Sequence, residues 1–111
     1  MIEFLQYPNP SVRASAAAHL QHLCFSDDEM KQKARTLGAI QPLVVLLNQD
    51  PPAIQRHALG ALRNLSYGRR HDENKRAIKA ASGITALTRL LTHSNDVVIR
   101  ELVSIFSQLS I

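Results

Sequence analysis

Two pairs of cations share a spacing that would let them recognise a charged partner. Lys31 and Arg35 stand four residues apart, and Lys75 and Lys79 repeat the pair 44 positions later. Four residues is close to one helical turn, so each pair shares a helix face. Neighbouring packed helices lie roughly 8–10 Å apart, so the recurrence predicts a basic column. An acidic peptide laid along such a column gains attraction and orientation, which act on association rate more than on final affinity. Weighed against that, cations on short helices often do no more than solvate a face, and exposed pairs are worth only about 0–1 kcal/mol each.

Asn64 carries a different chemistry. Its amide is both donor and acceptor, so from a groove it can hold the backbone of an extended peptide whatever that peptide's side chains are. His22 and Gln108 occupy the corresponding positions 42 residues before and 44 after. His19 and His22 are three apart, but two ligands with no third His or carboxylate nearby make a poor metal site. Arg69, Arg70 and His71 form a loop cluster that reads as solvated. Cys24, the only cysteine, allows no intrachain disulfide and fits a buried thiol in a reducing interior. No phosphate-cradling glycine loop, paired-carboxylate arrangement or nucleophile elbow is present, which argues against catalysis, and no cofactor or small-molecule substrate is implied.

The elements that must position these residues follow from apolar spacing. Ile54, Ala58, Leu62 and Leu65 fall on one helical stripe, which recurs as Val12, Ala16, Leu20 and Leu23 and again as Val98, Leu102, Phe106 and Leu109. That leaves Gly60, Arg63, Asn64 and Tyr67 on the opposite face, towards a groove. A second pattern, Met1, Phe4 and Leu5, returns as Leu43, Leu46 and Leu47 and as Leu87, Leu90 and Leu91. The expected helices are 11–25, 28–37, 40–48, 53–67, 72–81, 84–93 and about 96–110. Prolines 8, 10, 51 and 52 break the chain between them, and Gly38 and Ser82-Gly83 act as helix stops. The 28–37 helix should bury Met30, Ala34 and Leu37, with Ser26, Asp27 and Asp28 supplying its cap.

Two short helices and one long one in 42–45 residues make an all-α repeat, which must stack on its neighbours to bury enough apolar area. The bend at Gly38 and Gly83 fits an armadillo solenoid, with about one complete and two partial repeats: 1–25, 26–67 and 68–111. Both ends lack polar caps, as in a piece cut from a longer array. A chain of 111 residues with 45% hydrophobic and 20% charged residues reads as one folded unit, and no apolar run is long enough for a membrane span. A net charge of +4 favours an acidic partner. With no Trp and 5% aromatics, base stacking is poorly supplied. A nucleic-acid or phosphate-binding module using Arg63, Arg69, Arg70 and Arg76 is the alternative reading.

The runs Ala16–Phe25, Gly60–Gly68, Asp72–Lys79 and Arg100–Val103 resemble the first three armadillo repeats of the delta-catenin and plakophilin family. His19 departs from it where the family has an aromatic residue, and Ser107-Gln108-Leu109 stands where it reads Trp-Asn-Leu. The resemblance implies a cytoplasmic adaptor at cell–cell junctions, with the nucleus as a second location. Its groove would hold the juxtamembrane tail of a cadherin or, as in plakophilins, other desmosomal partners, and membranes would be met only through that partner. It also implies His19, His22, Lys31, Arg63, Asn64, Lys75 and Gln108 as contact positions; Arg35 and Lys79 join them from the spacing argument. Self-association through the unfinished ends is a further expectation.

Overall fold

The computed structural model describes residues 2–49, 51–67, 72–97, 99–100 and 103. A short 3-10 helix, Ile2–Gln6, precedes six α-helices: α1 Pro10–Leu23, α2 Asp28–Thr36, α3 Ile40–Leu46, α4 Pro52–Ser66, α5 Asp72–Ala80 and α6 Gly83–His93. No strand occurs among the described residues. The helix starts follow local chemistry. Asn9 accepts from the Ser11 amide at 2.8 Å with Pro10 in the first turn, and Asp27 accepts from the Met30 amide at 3.1 Å. Asp96 does the same for Ile99 at 3.1 Å. The expected last long helix falls largely outside the described residues.

One complete unit, α2–α3–α4, lies between the 3-10 helix with α1 on one side and α5 with α6 on the other. α4 is the central element, packed on α1, α2, α3 and α5. Its stripe Ile54, Ala58, Leu62 and Leu65 is completely buried, and so are Leu59 and Ala61. α1 can approach closely because Ala16 and Ala17 face inward and because Gly60 has no side chain. A Cβ at Gly60 would overlap the Gln21 side chain, which lies across it.

Three apolar placements differ from the sequence expectation. Leu37 does not join the inner stripe of α2: it caps the helix C-terminus and is 59% exposed, on the rim of an open cavity of about 630 Å³ with Ile2, Leu20, Met30 and Pro42. Lys31 takes the buried place beside Ala34 instead. Phe4 is largely exposed and packs edge-on against Tyr7, whereas Leu5 is buried. Leu91 is exposed although its counterpart Leu47 is fully buried.

The two short-helix bends also differ from one another. Gly38 takes φ +84°, a left-handed conformation suited to glycine at a helix end. In the next unit that conformation falls to Ser82, at φ 66°, and Gly83 opens α6. Gly83 is small for a packing reason, since a Cβ there would sit 2.5 Å from Ile78 Cγ2 and 2.7 Å from the Ile78 carbonyl oxygen. Ile78 is fully buried and has nowhere to go. Gly83→Ala is therefore expected to lower stability by about 1–3 kcal/mol in urea unfolding, although alanine is the better helix former by about 1 kcal/mol. An unchanged or raised midpoint contradicts the close contact.

Candidate functional site

α1 and α4 run side by side, joined through Asn64. Its Nδ2 donates to the Gln21 carbonyl at 2.8 Å, in the last turn of α1 where carbonyls run out of helical partners. The residue is only 6% exposed, and its side-chain oxygen is bonded to no other described residue. The Gln21 side chain adds a second link, with Oε1 3.2 Å from His57 Nδ1.

The C-terminal end of α4 is closed in the same manner. Ser66 Oγ donates to the Arg63 carbonyl at 2.9 Å, and the Tyr67 amide donates to that of Asn64 at 3.4 Å. Asn74 Nδ2, from α5, donates to the Leu65 carbonyl at 2.8 Å and to the Lys31 carbonyl at 3.3 Å. Lys31 Nζ, from α2, donates to the Tyr67 carbonyl at 3.2 Å. Asn74 is 1% exposed, and removing its amide would take this bond from the Leu65 carbonyl near the end of α4, at about 1–3 kcal/mol.

Each long helix also has a stripe turned to solvent. α1 shows Ser11, Ser15, His19 and His22 along one exposed stripe. On α4 the stripe Arg56, Gly60, Arg63 and Tyr67 is half-buried at its arginines and exposed at Tyr67. Neither helix contains an Asp or Glu, whereas Arg13, His19, His22, Arg56, His57 and Arg63 all lie on them. Arg56 is paired with Asp96 at 2.6 Å. Arg63 is bonded to no described residue, and its guanidinium carbon stands 5.5 Å from the Tyr67 ring centroid.

The basic column is not a continuous open surface. Lys31 is 3% exposed, with its amine held by the Tyr67 carbonyl, 5.7 Å from the Tyr67 ring and 3.9 Å from Asp28. Arg35 bridges to Glu73 of α5 at 2.9 Å. Lys75 is half-buried, 3.9 Å from Asp72, and Lys79 is exposed. The cause is the acids that open α2 and α5: they suit the positive helix N-termini and also neutralise the cations one turn on. Gln108, like Arg69, Arg70 and His71, lies outside the described residues. His19 and His22 are exposed on α1, and no cluster of three metal-ligating side chains exists among the described residues.

Residues 27–67 match the Armadillo/beta-catenin-like repeat family. Human catenin delta-2 is 51% identical over 104 residues, covering 94% of this chain and 8% of that protein. The human splicing regulator ARVCF is 46% identical over the same length, covering 94% and 11%. The juxtamembrane domain-associated catenin of Caenorhabditis elegans is 35% identical over 101 residues, covering 91% and 8%. A designed armadillo repeat protein superimposes with a TM-score of 0.88 at 22% identity, over 97% of this chain and 44% of its own. The chain belongs to the delta-catenin and plakophilin family of armadillo-repeat proteins. It spans about a tenth of the length of the curated relatives it matches. As an armadillo segment it is a scaffold for protein contacts and not an enzyme, and no described helix is long and apolar enough to cross a membrane.

Within this armadillo frame, sequence reasoning had passed over Gln21, His57 and Asn74. Asn74 was legible in principle, because it takes the position that Met30 holds one unit earlier and an amide in an apolar stripe must find partners. Cys24 sits fully buried under the end of α1, and desolvation pushes its thiol up to about 11 from the usual 9.0, against the lowering influence of Lys31. The folded state therefore keeps its proton through a range in which the unfolded chain has lost it. Stability from this group is complete below about pH 9 and is lost as pH rises through about 11. The native thiol is accordingly expected to resist a disulfide reagent at pH 8 and to react once unfolded; rapid native reaction contradicts its burial.

Proposed function

We propose that this segment binds an acidic, extended stretch of another polypeptide across α1 and α4, as an adaptor on the cytoplasmic side of cell–cell junctions. The juxtamembrane tail of a cadherin is the partner of choice. The observation that carries the reading is the absence of any carboxylate on α1 and α4, beside His19, His22 and Arg63, which is paired with no acid among the described residues. Apart from Asp96, which is paired with Arg56, a peptide bearing Asp and Glu meets cations and neutral groups on these helices, and α1 and α4 bring no acid of their own to repel it. Asn64 joins the two helices with its side-chain oxygen bonded to no described residue, and that oxygen can accept from a peptide amide. A relative named for a juxtamembrane domain adds support.

In this reading the site residues divide into two sets. His19, His22, Arg63 and Asn64 touch the peptide. Lys31 and Arg35 act from behind, by holding the end of α4 and by joining α2 to α5, while Lys75 and Lys79 contribute field from the outer helices. Calorimetric titration with an acidic cadherin-type juxtamembrane peptide tests this division. Arg63→Glu is expected to weaken binding by about tenfold or more, and Arg35→Gln by less than about twofold. Affinity unchanged in Arg63→Glu overturns the assignment. A duplex oligonucleotide that binds at low salt and is released as salt rises would favour the nucleic-acid reading instead.

A further inference from the structure

The corner where α3 gives way to α4 stands against the end of α6, and an open cavity of about 440 Å³ lies between them. Its apolar part is formed by the buried Leu47 and Leu90 and by the exposed ring of Pro52. The rest is rich in donors. Arg89 of α6 donates through Nη1 to Asn48 Oδ1 at 2.9 Å, a bond that joins one unit to the next and holds the guanidinium at the cavity. Its other N–H groups, Asn48 Nδ2 and the Gln55 side-chain amide are bonded to no described residue. Asp96 is the one acid among the described lining residues, and its carboxylate is engaged: Oδ2 accepts from Arg56 at 2.6 Å and Oδ1 from the Ile99 amide at 3.1 Å. Arg89 itself pairs with no acid among the described residues.

We propose that this cavity is a second docking site, for an extended segment of another protein that carries an acidic residue and a large aliphatic one two positions apart. Alternate side chains of an extended chain share a face, about 7 Å apart, so both enter the same cavity. The carboxylate meets the Arg89 fork, whose planar donors match its two oxygens. Asn48 and Gln55 supply neutral donors, and the aliphatic side chain covers Leu47, Leu90 and Pro52. A phosphate is the poorer occupant, because its second negative charge would face Asp96. Asn48 belongs to one unit and Arg89 to the next, so the stacking of repeats builds the site. It stands apart from the α1–α4 face and does not rest on that reading: Gln55 and Arg63 are eight residues apart on α4, about 12 Å along its axis.

The probe is the acetylated and amidated peptide Ser-Glu-Ser-Leu-Ser, titrated into the isotopically labelled whole chain and followed by nuclear magnetic resonance. Side-chain signals of Asn48, Gln55 and Arg89 are expected to shift together and to saturate at one stoichiometry. Replacing the peptide's Glu by Gln is expected to weaken binding at these signals by about tenfold, and replacing its Leu by Gly by about fivefold. Arg89→Gln should match the tenfold loss, while Arg63→Gln changes it by less than about twofold. Arg89 is exposed, so an unchanged melting temperature is expected to accompany the loss. Gln55→Glu repeats the test without touching the bond between Arg89 and Asn48, and the added acid should weaken binding by about fivefold or more. Equal affinities for the Glu and Gln peptides, or for the chain and its Arg89→Gln variant, overturn the proposal. Tighter binding of a peptide with phosphoserine in place of Glu overturns it as well. Shifts confined to His19, His22, Arg63 and Asn64 remove this site and leave the α1–α4 reading standing.

Discussion

The carbonyls left open where a long helix ends must be bonded by something, and in this protein neighbouring elements bond them. In the last turn of α1 the Gln21 carbonyl is taken by Asn64 of α4. At the end of α4 the carbonyls of Leu65 and of the capping residue Tyr67 are taken by Asn74 of α5 and Lys31 of α2. Each bond reaches from one repeat to another or closes a repeat on itself, so the apolar stack acquires a fixed register. Apolar contact alone is non-directional and would tolerate sliding. A buried amide that satisfies a named carbonyl does not, because a slip leaves both partners unpaired.

This constraint also sorts the charges. Acids gather at the first turns of α2 and α5, where the helix N-termini favour them, and there they meet the cations of the same two helices and of each other. The long helices carry no acid, and their cations and histidines remain with fewer partners. The result is a division between outer helices that are largely self-neutralised and an α1–α4 pair whose own charges are all positive, with Asp96 meeting Arg56 at one end. Tyr67 belongs to both sides: its carbonyl serves the internal closure through Lys31, and its ring stands at the end of the open face beside Arg63.

Much of the fold was legible. The recurring stripe of Ile54, Ala58, Leu62 and Leu65 placed the helices to within one or two residues, because burial of one face imposes a 3.6-residue period. The fates of Lys31 and Leu37 were not. Spacing shows that Lys31 and Lys75 occupy the same place on equivalent helices, but not that the Tyr67 carbonyl at the end of α4 takes the amine of one of them. Leu37 continues the apolar period of α2, yet the helix ends one residue earlier and Gly38 turns the chain away, so the residue is left on an open rim. Asn64 was chosen for a groove role on its amide chemistry, and the structure adds a structural use for half of that amide, which no single-chain spacing rule could show. At Ser82 and Gly83 the composition marked the bend, but the residue that takes the left-handed conformation is the serine.

The central claim is that the partner meets the acid-free face shared by α1 and α4 and not the outer short helices. It is tested most directly by nuclear magnetic resonance of the isotopically labelled chain, titrated with an acidic juxtamembrane peptide. Side-chain signals of His19, His22, Arg63 and Asn64 are predicted to shift together and saturate at one stoichiometry, with those of Arg35 and Lys79 little changed. Shifts confined to α2 and α5, with the four inner residues unmoved, would contradict the account.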